Sequence, residues 1–394
     1  MGVRILKPLP ATTDVVIVGA GPTGLSLACV LAAEGISFVL VDQLAEGANT
    51  SRAAVVHART LEVLEELKVT DRLRAEGHVV PRFTLRDRDQ VLATIDFDQL
   101  RTRYPYTLMV PQNVTEAILL GRLRELGGDV HRPYAVNDLQ QDANGVSVAV
   151  ATDGRHPQTV RARYLVGADG MHSRVHERAA IGFTGDRYDQ SFMLADVRMS
   201  WPLRADEVMM FLSPDGLVVV APLPGGRHRI VATLDDAPER PSMADVQRLL
   251  DTRGPVTKAA RVQEIVWSSR FLVHHRLADR YRAGRILLAG DAAHVHSPAG
   301  GQGMNTGIQD AVALGRALAA VLGGRSDETR LDEYEHIRRP VAERVVGFTD
   351  RATRMATLRT ASTRAVRNAV IRVVGRIPPV RRWLAAQLAG LHNR

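Results

Sequence analysis

Residues 14–42 carry the pattern that most narrows the fold. An apolar run, DVVIV at 14–18, is bounded by Gly19 and reads as a buried parallel strand. Gly19-Ala20-Gly21-Pro22-Thr23-Gly24 follows, then a helical pattern carried by Leu25, Leu27, Ala28, Leu31 and Ala32, then a second apolar run at 37–41 closed by Asp42 and Gln43. In this strand–turn–helix–strand unit Gly19 makes the tight turn, Gly21 leaves room for a phosphate, and Gly24 lets helix lie close on strand. Asp42, 18 residues after Gly24, is spaced to accept hydrogen bonds from ribose hydroxyls. The unit predicts a dinucleotide site and does not by itself choose among dinucleotides.

Two further stretches follow short apolar runs in the same way. One is Gly167-Ala168-Asp169-Gly170, with Ser173 beyond it. The other is GDAAHVHSPAGGQGMN at 290–305, preceded by RILLA at 285–289 and followed by a helical run from Thr306. Here the strand is expected to end at Gly290, so that Asp291 can turn its carboxylate toward a ligand hydroxyl. Pro298 and the glycines 300, 301 and 303 then lead into the helix start, whose free N–H groups and positive dipole end suit a group that becomes anionic. His294 and His296 have no cysteine or carboxylate cluster beside them, and adjacent His274 and His275 diverge, so no metal site is expected.

The order GAGPTG, GADG, GDAAH resembles the three fingerprints of the FAD-dependent aromatic hydroxylases, flavoprotein monooxygenases of the para-hydroxybenzoate hydroxylase fold. The resemblance spans most of 14–320 and implies one FAD. It implies cofactor contacts at Gly19, Gly21, Pro22, Thr23, Gly24, Asp42, Gln43, Asp169, Gly290, Asp291, Pro298, Gly301, Gln302, Gly303, Met304 and Asn305. Ser51-Arg52-Ala53, before the amphipathic stretch HARTLEVLEEL at 57–67, matches the family's segment at the flavin edge, which adds Arg52 and Ala53. Gln112, before a helix at 114–126 that carries Glu116, matches a flavin-contacting Gln. One departure is His176, where the family usually has Arg.

The implied fold class is α/β: a Rossmann-like FAD-binding domain, an inserted antiparallel-sheet substrate domain and a C-terminal helical segment. Residues 1–82, 109–184 and 276–350 are assigned to the first, 83–108 and 185–275 to the second, and 351–394 to basic C-terminal helices. Between 190 and 235, strand-like runs alternate with turns at Asp215-Gly216 and Gly225-Gly226, the mark of an antiparallel meander. Met193, Met209, Phe211, Val219 and Pro222 are expected on its pocket side, and sheet core is an equally good reading for each singly. A helix at 329–346 is expected to be interrupted at Pro340.

The net charge of +8 is uneven: residues 351–394 hold ten Arg and no Asp or Glu, while the remainder has 41 basic and 43 acidic residues. A nucleic-acid function therefore loses its electrostatic support. Packing on the body is the plainer reading of the tail, with membrane-surface or partner docking the other. The single cysteine, Cys29, in an apolar helical pattern reads as a small buried hydrophobe in a cytoplasmic protein.

The resemblance implies that NADPH or NADH reduces FAD, that O2 reacts to give a C4a-hydroperoxide, and that oxygen passes to a small aromatic substrate, phenolic or polyketide-like. The cofactor carries the hard chemistry, which accounts for the lack of a catalytic triad. Arg52 and Pro298 are the candidate catalytic residues. The alternatives are a Baeyer–Villiger oxygenation with the same flavin, or a flavin-binding partner protein without turnover. A halogenase is disfavoured because Trp201, Trp267 and Trp383 are far apart. Monomer and homodimer both stand.

Overall fold

The structure, a computed structural model, describes residues 8–47, 53–152, 157–298, 300–358 and 360–393. At its centre is the strand Thr12–Val18, fully buried from Val15 to Ile17 and nearly so at Val18. It pairs in parallel with Phe38–Val41 on one side and Gln158–Gly167 on the other, and the latter pairs in parallel with Ile286–Leu288. Val18 stands opposite both Val41 and Gly167, and Gly167 stands opposite Leu288. The four strands therefore end level, and Gly19, Asp42, Ala168 and Ala289 leave the sheet along one edge. In an open parallel sheet this carboxyl edge is where ligands bind.

The helix Pro22–Ala33 follows the first turn, and every residue from Gly24 to Leu31 is buried. It is apolar all round because it lies between the sheet and two other helices. One of those is Gly303–Leu322, where a Cβ on Gly315 would come within 2.7 Å of the Val30 side chain. Burial of Leu25, Leu27 and Leu31 contributes roughly 1.5–3 kcal/mol each. Cys29 lies in the same layer, and burial pushes its thiol up to about 12, so it is an inert hydrophobe. The antiparallel strands Ala135–Asp142 and Gly145–Ala151 extend the sheet; the turn expected at Asp153-Gly154 lies outside the described residues.

A second sheet has eight strands, built around two of 18 residues, Phe183–Ser200 and Arg261–Ala278. Its meander, Glu207–Ser213, Gly216–Leu223 and Arg227–Leu234, is antiparallel, and Glu207–Ser213 also pairs in parallel with Arg82–Asp87. The helix Met243–Arg253, opened by a capping box between Ser242 and Asp245, packs Val246, Leu249 and Leu250 onto one face of this sheet. That leaves the other face to cover the carboxyl edge of the first sheet.

The helix Thr329–Ala356 runs unbroken through Pro340, contrary to the expected interruption. Pro340 and His336, whose carbonyl loses its donor, are both exposed, so water can take the missing bond. The helices Ala361–Val374 and Pro378–Leu388 follow. Among the described residues no helix is long and apolar enough to cross a membrane.

Candidate active site

The carboxyl edge and the free face of the second sheet enclose one cavity of about 550 Å³, within the range of sites for cofactors and drug-sized ligands. Of the residues singled out from the sequence, Gly19, Gly21, Pro22, Thr23, Asp42, Gln43, Ala53, Gln112, Asp169, Asp291, Pro298, Gly301, Gln302, Gly303 and Met304 line it. Arg52 lies outside the described residues.

The first turn is built by close backbone approach. Gly19 has φ +99°, and a Cβ there would lie 2.3 Å from the Ala168 carbonyl oxygen; one on Gly24 would lie 1.8 Å from the Gly19 carbonyl oxygen. Gly21, by contrast, faces open space, with nothing within 4 Å of where a Cβ would stand. The side chain of Thr23 sits between Gly290 and Gly307, wedging the first motif against the third. Asp42 accepts from the Ala20 N–H at 2.7 Å and the Leu44 N–H at 2.8 Å, and Arg132 stands 3.1 Å away. Its carboxylate is thus fixed at the rim of the cavity.

Asp169 accepts from the N–H groups of Arg174 at 2.8 Å and Val175 at 3.3 Å through one oxygen, while its Oδ1 is buried without a partner. Burial raises its carboxyl above the ordinary range. A buried acceptor lining a cleft and lacking a donor calls for an explanation, and a bound water or ligand is one. Gln112 donates to Glu116 at 2.8 Å and accepts from the Ala53 N–H at 3.2 Å. Burial likewise raises the Glu116 carboxyl.

Gly24, Gly290 and Asn305 do not line the cavity but shape it. The Asn305 amide donates to the carbonyls of Val55 at 2.8 Å and Gly301 at 2.7 Å, and its oxygen accepts from the His57 N–H at 2.8 Å. His57 in turn hydrogen-bonds the Gly300 carbonyl through Nε2 at 2.7 Å. These contacts brace the glycine turn from behind, and the helix Gly303–Leu322 then presents its N-terminus to the cavity. Gln302 turns its amide away, donating to the Leu388 carbonyl at 3.0 Å. Leu388 itself lines the cavity, so the C-terminal helices help to close it.

A buried triad beneath the turn escaped the sequence reading. His294 Nε2 lies 2.5 Å from Asp310, which also accepts from Arg338 at 2.6 Å. Burial opposes ionisation of Asp310, but Arg338 and His294 outweigh it and hold the carboxyl below its usual range. The only sequence signal was a carboxylate in the apolar run ahead of Ala311, and its partner Arg338 is 28 residues away.

Opposite the glycine turns the wall is apolar: Phe192, Leu194, Met210, Val219, Val231 and Phe271 all face the cavity. Strand alternation corrects part of the expected substrate set. Met193, Met209 and Phe211 are offset by one residue from these positions and are buried on the sealed face with Val246 and Leu250. Pro222 is buried and does not line the cavity, whereas its strand neighbour Val219 does. Charged pairs interrupt the apolar wall: Arg82, which lines the cavity, pairs with Asp96 at 3.0 Å. Arg229, which lines the cavity, donates to Asp196 through Nε at 2.7 Å and a terminal nitrogen at 2.8 Å, with both side chains almost fully buried.

A family profile described as FAD binding domain matches residues 12–349. The chain is 38% identical over 393 residues to the 12-dehydrotetracycline 5-monooxygenase/anhydrotetracycline 6-monooxygenase of Streptomyces rimosus, covering 97% of this chain and 77% of that protein. Among solved structures it superposes on the p-nitrophenol 4-monooxygenase of Pseudomonas putida DLL-E4 with a TM-score of 0.87 at 26% identity, covering 98% of this chain and all of that one. It also superposes on a Diels-Alderase of pyrroindomycin biosynthesis with a TM-score of 0.82 at 28% identity, covering 97% and 80%.

Proposed function

This chain belongs to the FAD-dependent aromatic hydroxylases, and we propose that it is the NADPH- or NADH-dependent hydroxylase of a polycyclic, phenolic or polyketide-like aromatic. The observation that carries this reading is the convergence of three glycine-rich turns on one edge, facing an apolar wall across a single cavity. We read 1–82, 109–184 and 276–350 as the part that holds FAD, 83–108 and 185–275 as the part that receives the aromatic, and 351–394 as appended helices.

The residues present fit the cofactor. Gly21 opens onto space that a side chain would fill, and Asp169 offers a buried acceptor without a partner. By the family pattern the 19–24 turn would take the pyrophosphate, Asp42 the ribose, Asp291 the ribitol, and the segment from Pro298 to Asn305 the ring, with Arg52, Ala53 and Gln112 at its edge. When bound and reduced by NAD(P)H, FAD supplies activation of O2, so that one oxygen atom enters the aromatic ring and the other leaves as water.

The chain's own part is to bind, orient and keep dry. N–H groups at the start of the helix Gly303–Leu322 would favour negative charge on a ring held there. Phe192, Leu194, Met210, Val219, Val231 and Phe271 exclude water and suit a flat, extended aromatic better than a small carboxylate. Arg229, neutralised by Asp196, and Arg82, paired with Asp96, give that wall directional polar groups for a phenolic or carbonyl oxygen. The relatives named for tetracycline intermediates support a polycyclic substrate.

The test is purification of the yellow protein, followed by a panel of phenols and polycyclic aromatics scored for NAD(P)H oxidation coupled to a product heavier by one oxygen. The likeness to a Diels-Alderase favours, as a second reading, a flavin protein that acts without redox turnover. Bound flavin with no aromatic-stimulated NAD(P)H oxidation, alongside conversion of a polyene substrate, would establish that reading instead.

A further inference from the structure

The helix Ala361–Val374 turns an apolar face outward. Its only buried side chains are Arg367 and Asn368. Arg367 donates to the carbonyls of Met355 and Ala356 at the end of the preceding helix, and Asn368 donates to Asp87 at 2.6 Å. The helix is thus moored to the body by polar contacts, with half-buried Ile371 packed against the cluster of Leu92, Leu212, Leu217 and Ala356 beside them. A second apolar set points the other way: Val366, Val370 and Val373 are 64%, 53% and 63% exposed, with Ile377 and Trp383 exposed after the helix. The spacing i, i+4 and i+7 puts Val366, Val370 and Val373 in one narrow stripe, with exposed Ala365 and Ala369 in the same helix. Scattered exposed valines need no explanation, but an aligned stripe on a helix whose two buried side chains are Arg367 and Asn368 does.

Charge says what covers it. Residues 351–394 contain ten Arg and no carboxylate side chain, and Arg376 and Arg382, next in the chain to Ile377 and Trp383, are exposed. Two copies meeting through this face would set arginines against arginines, which costs free energy. An apolar stripe with a tryptophan and a cationic rim matches the interface of an anionic bilayer, where acyl chains meet negative headgroups. We propose that this outward face, with its arginine rim, docks the enzyme on an anionic lipid surface.

The experiment is flotation of the full chain with phosphatidylcholine vesicles, with and without about one-third phosphatidylserine, at low and high salt. Co-flotation with the anionic vesicles alone, weakened by salt, is the expected result. The double substitution Val370→Asp/Val373→Asp should lower the bound fraction about tenfold through loss of apolar contact and added repulsion, with flavin content and circular dichroism unchanged. Arg376→Gln/Arg382→Gln should weaken binding and flatten its salt dependence. The proposal is overturned if the chain stays unbound to anionic vesicles at low salt, or if the aspartate pair binds as the parent does. It is also overturned if sedimentation velocity shows lipid-free self-association that the aspartate pair abolishes, which would assign the stripe to a second copy.

Discussion

Gln112 and Ala53 exchange two hydrogen bonds, backbone N–H to carbonyl at 3.0 Å and Ala53 N–H to the Gln112 side-chain oxygen at 3.2 Å. The pair pins the chain directly after Arg52 to the start of the helix Gln112–Glu125. Substituting Gln112→Leu leaves the Ala53 N–H without that acceptor, a cost of about 1–3 kcal/mol. Flavin affinity, read by fluorescence titration, should fall by roughly 5- to 100-fold while the fold persists. Unchanged affinity would detach Gln112 from cofactor binding.

Methionines adjacent in sequence should behave as opposites. Met210 faces the cavity and Met209 the sealed core. Met209→Ala should cost roughly 2–5 kcal/mol of stability and leave KM near the parent value. Met210→Ala should change KM or the choice of aromatic with little change in Tm. The same response from both would mean that the strand register is wrong.

The buried pair of Arg229 and Asp196 makes a prediction in three variants. Removing either partner alone, Arg229→Met or Asp196→Leu, strands a charge at a cost of about 3–5 kcal/mol. The double variant should recover much of that loss, because a buried pair exchanged for apolar residues is often neutral in stability. It should not recover substrate affinity if Arg229 contacts the aromatic's oxygen. Thermal unfolding and ligand titration together separate the two roles.

Acid stability should be set by histidines. Burial lowers His57, His228 and His296 to about 4 from the ordinary 6.5. A group whose folded value is depressed binds its proton first in the unfolded chain, so stability is intact above pH about 6.5 and falls as pH drops toward about 4. Each histidine contributes up to roughly 3 kcal/mol of that loss. His228→Leu, at a site where neither ring nitrogen has a partner, should flatten the dependence of Tm on pH across this window without touching the cavity. An unchanged slope would remove His228 from the acid response.

Gly24→Ala tests the first turn. Its added carbon would meet the Gly19 carbonyl oxygen at 1.8 Å, so helix and strand must separate. The purified protein should be colourless or much reduced in flavin, with Tm lowered by about 1 °C for each 1 kcal/mol lost at this size.

The sequence made the cofactor side legible because close approach and turning leave few residue types to choose from. Gly19, Gly24 and Asp42 occupy positions that a strand–turn–helix–strand pattern picks out, while Asp291 stands out through the glycine-rich segment that carries the family resemblance. The wall opposite was harder to read. Alternation gives two interleaved sets, Met209 with Phe211 and Val208 with Met210, but parity does not say which set faces the ligand. That depends on where the helix Met243–Arg253 packs, and its capping box at Ser242 and Asp245 was a signal left unread. The contacts of Asp310 with Arg338, and of Asn305 with Val55 across 250 residues, join segments that no local pattern connects. Pro340 shows the reverse limit, since a helix breaker is tolerated where the orphaned carbonyl meets water.

The helix that seals one side of the second sheet divides its strands into two populations under different demands. Residues turned toward Val246 and Leu250 hold the fold, and those turned toward the cavity only have to suit a guest. A lineage can therefore redraw the guest-facing set, one position in two, while the hidden set keeps the scaffold standing. Such an arrangement lets one framework accept new ring systems without first acquiring stability to spare.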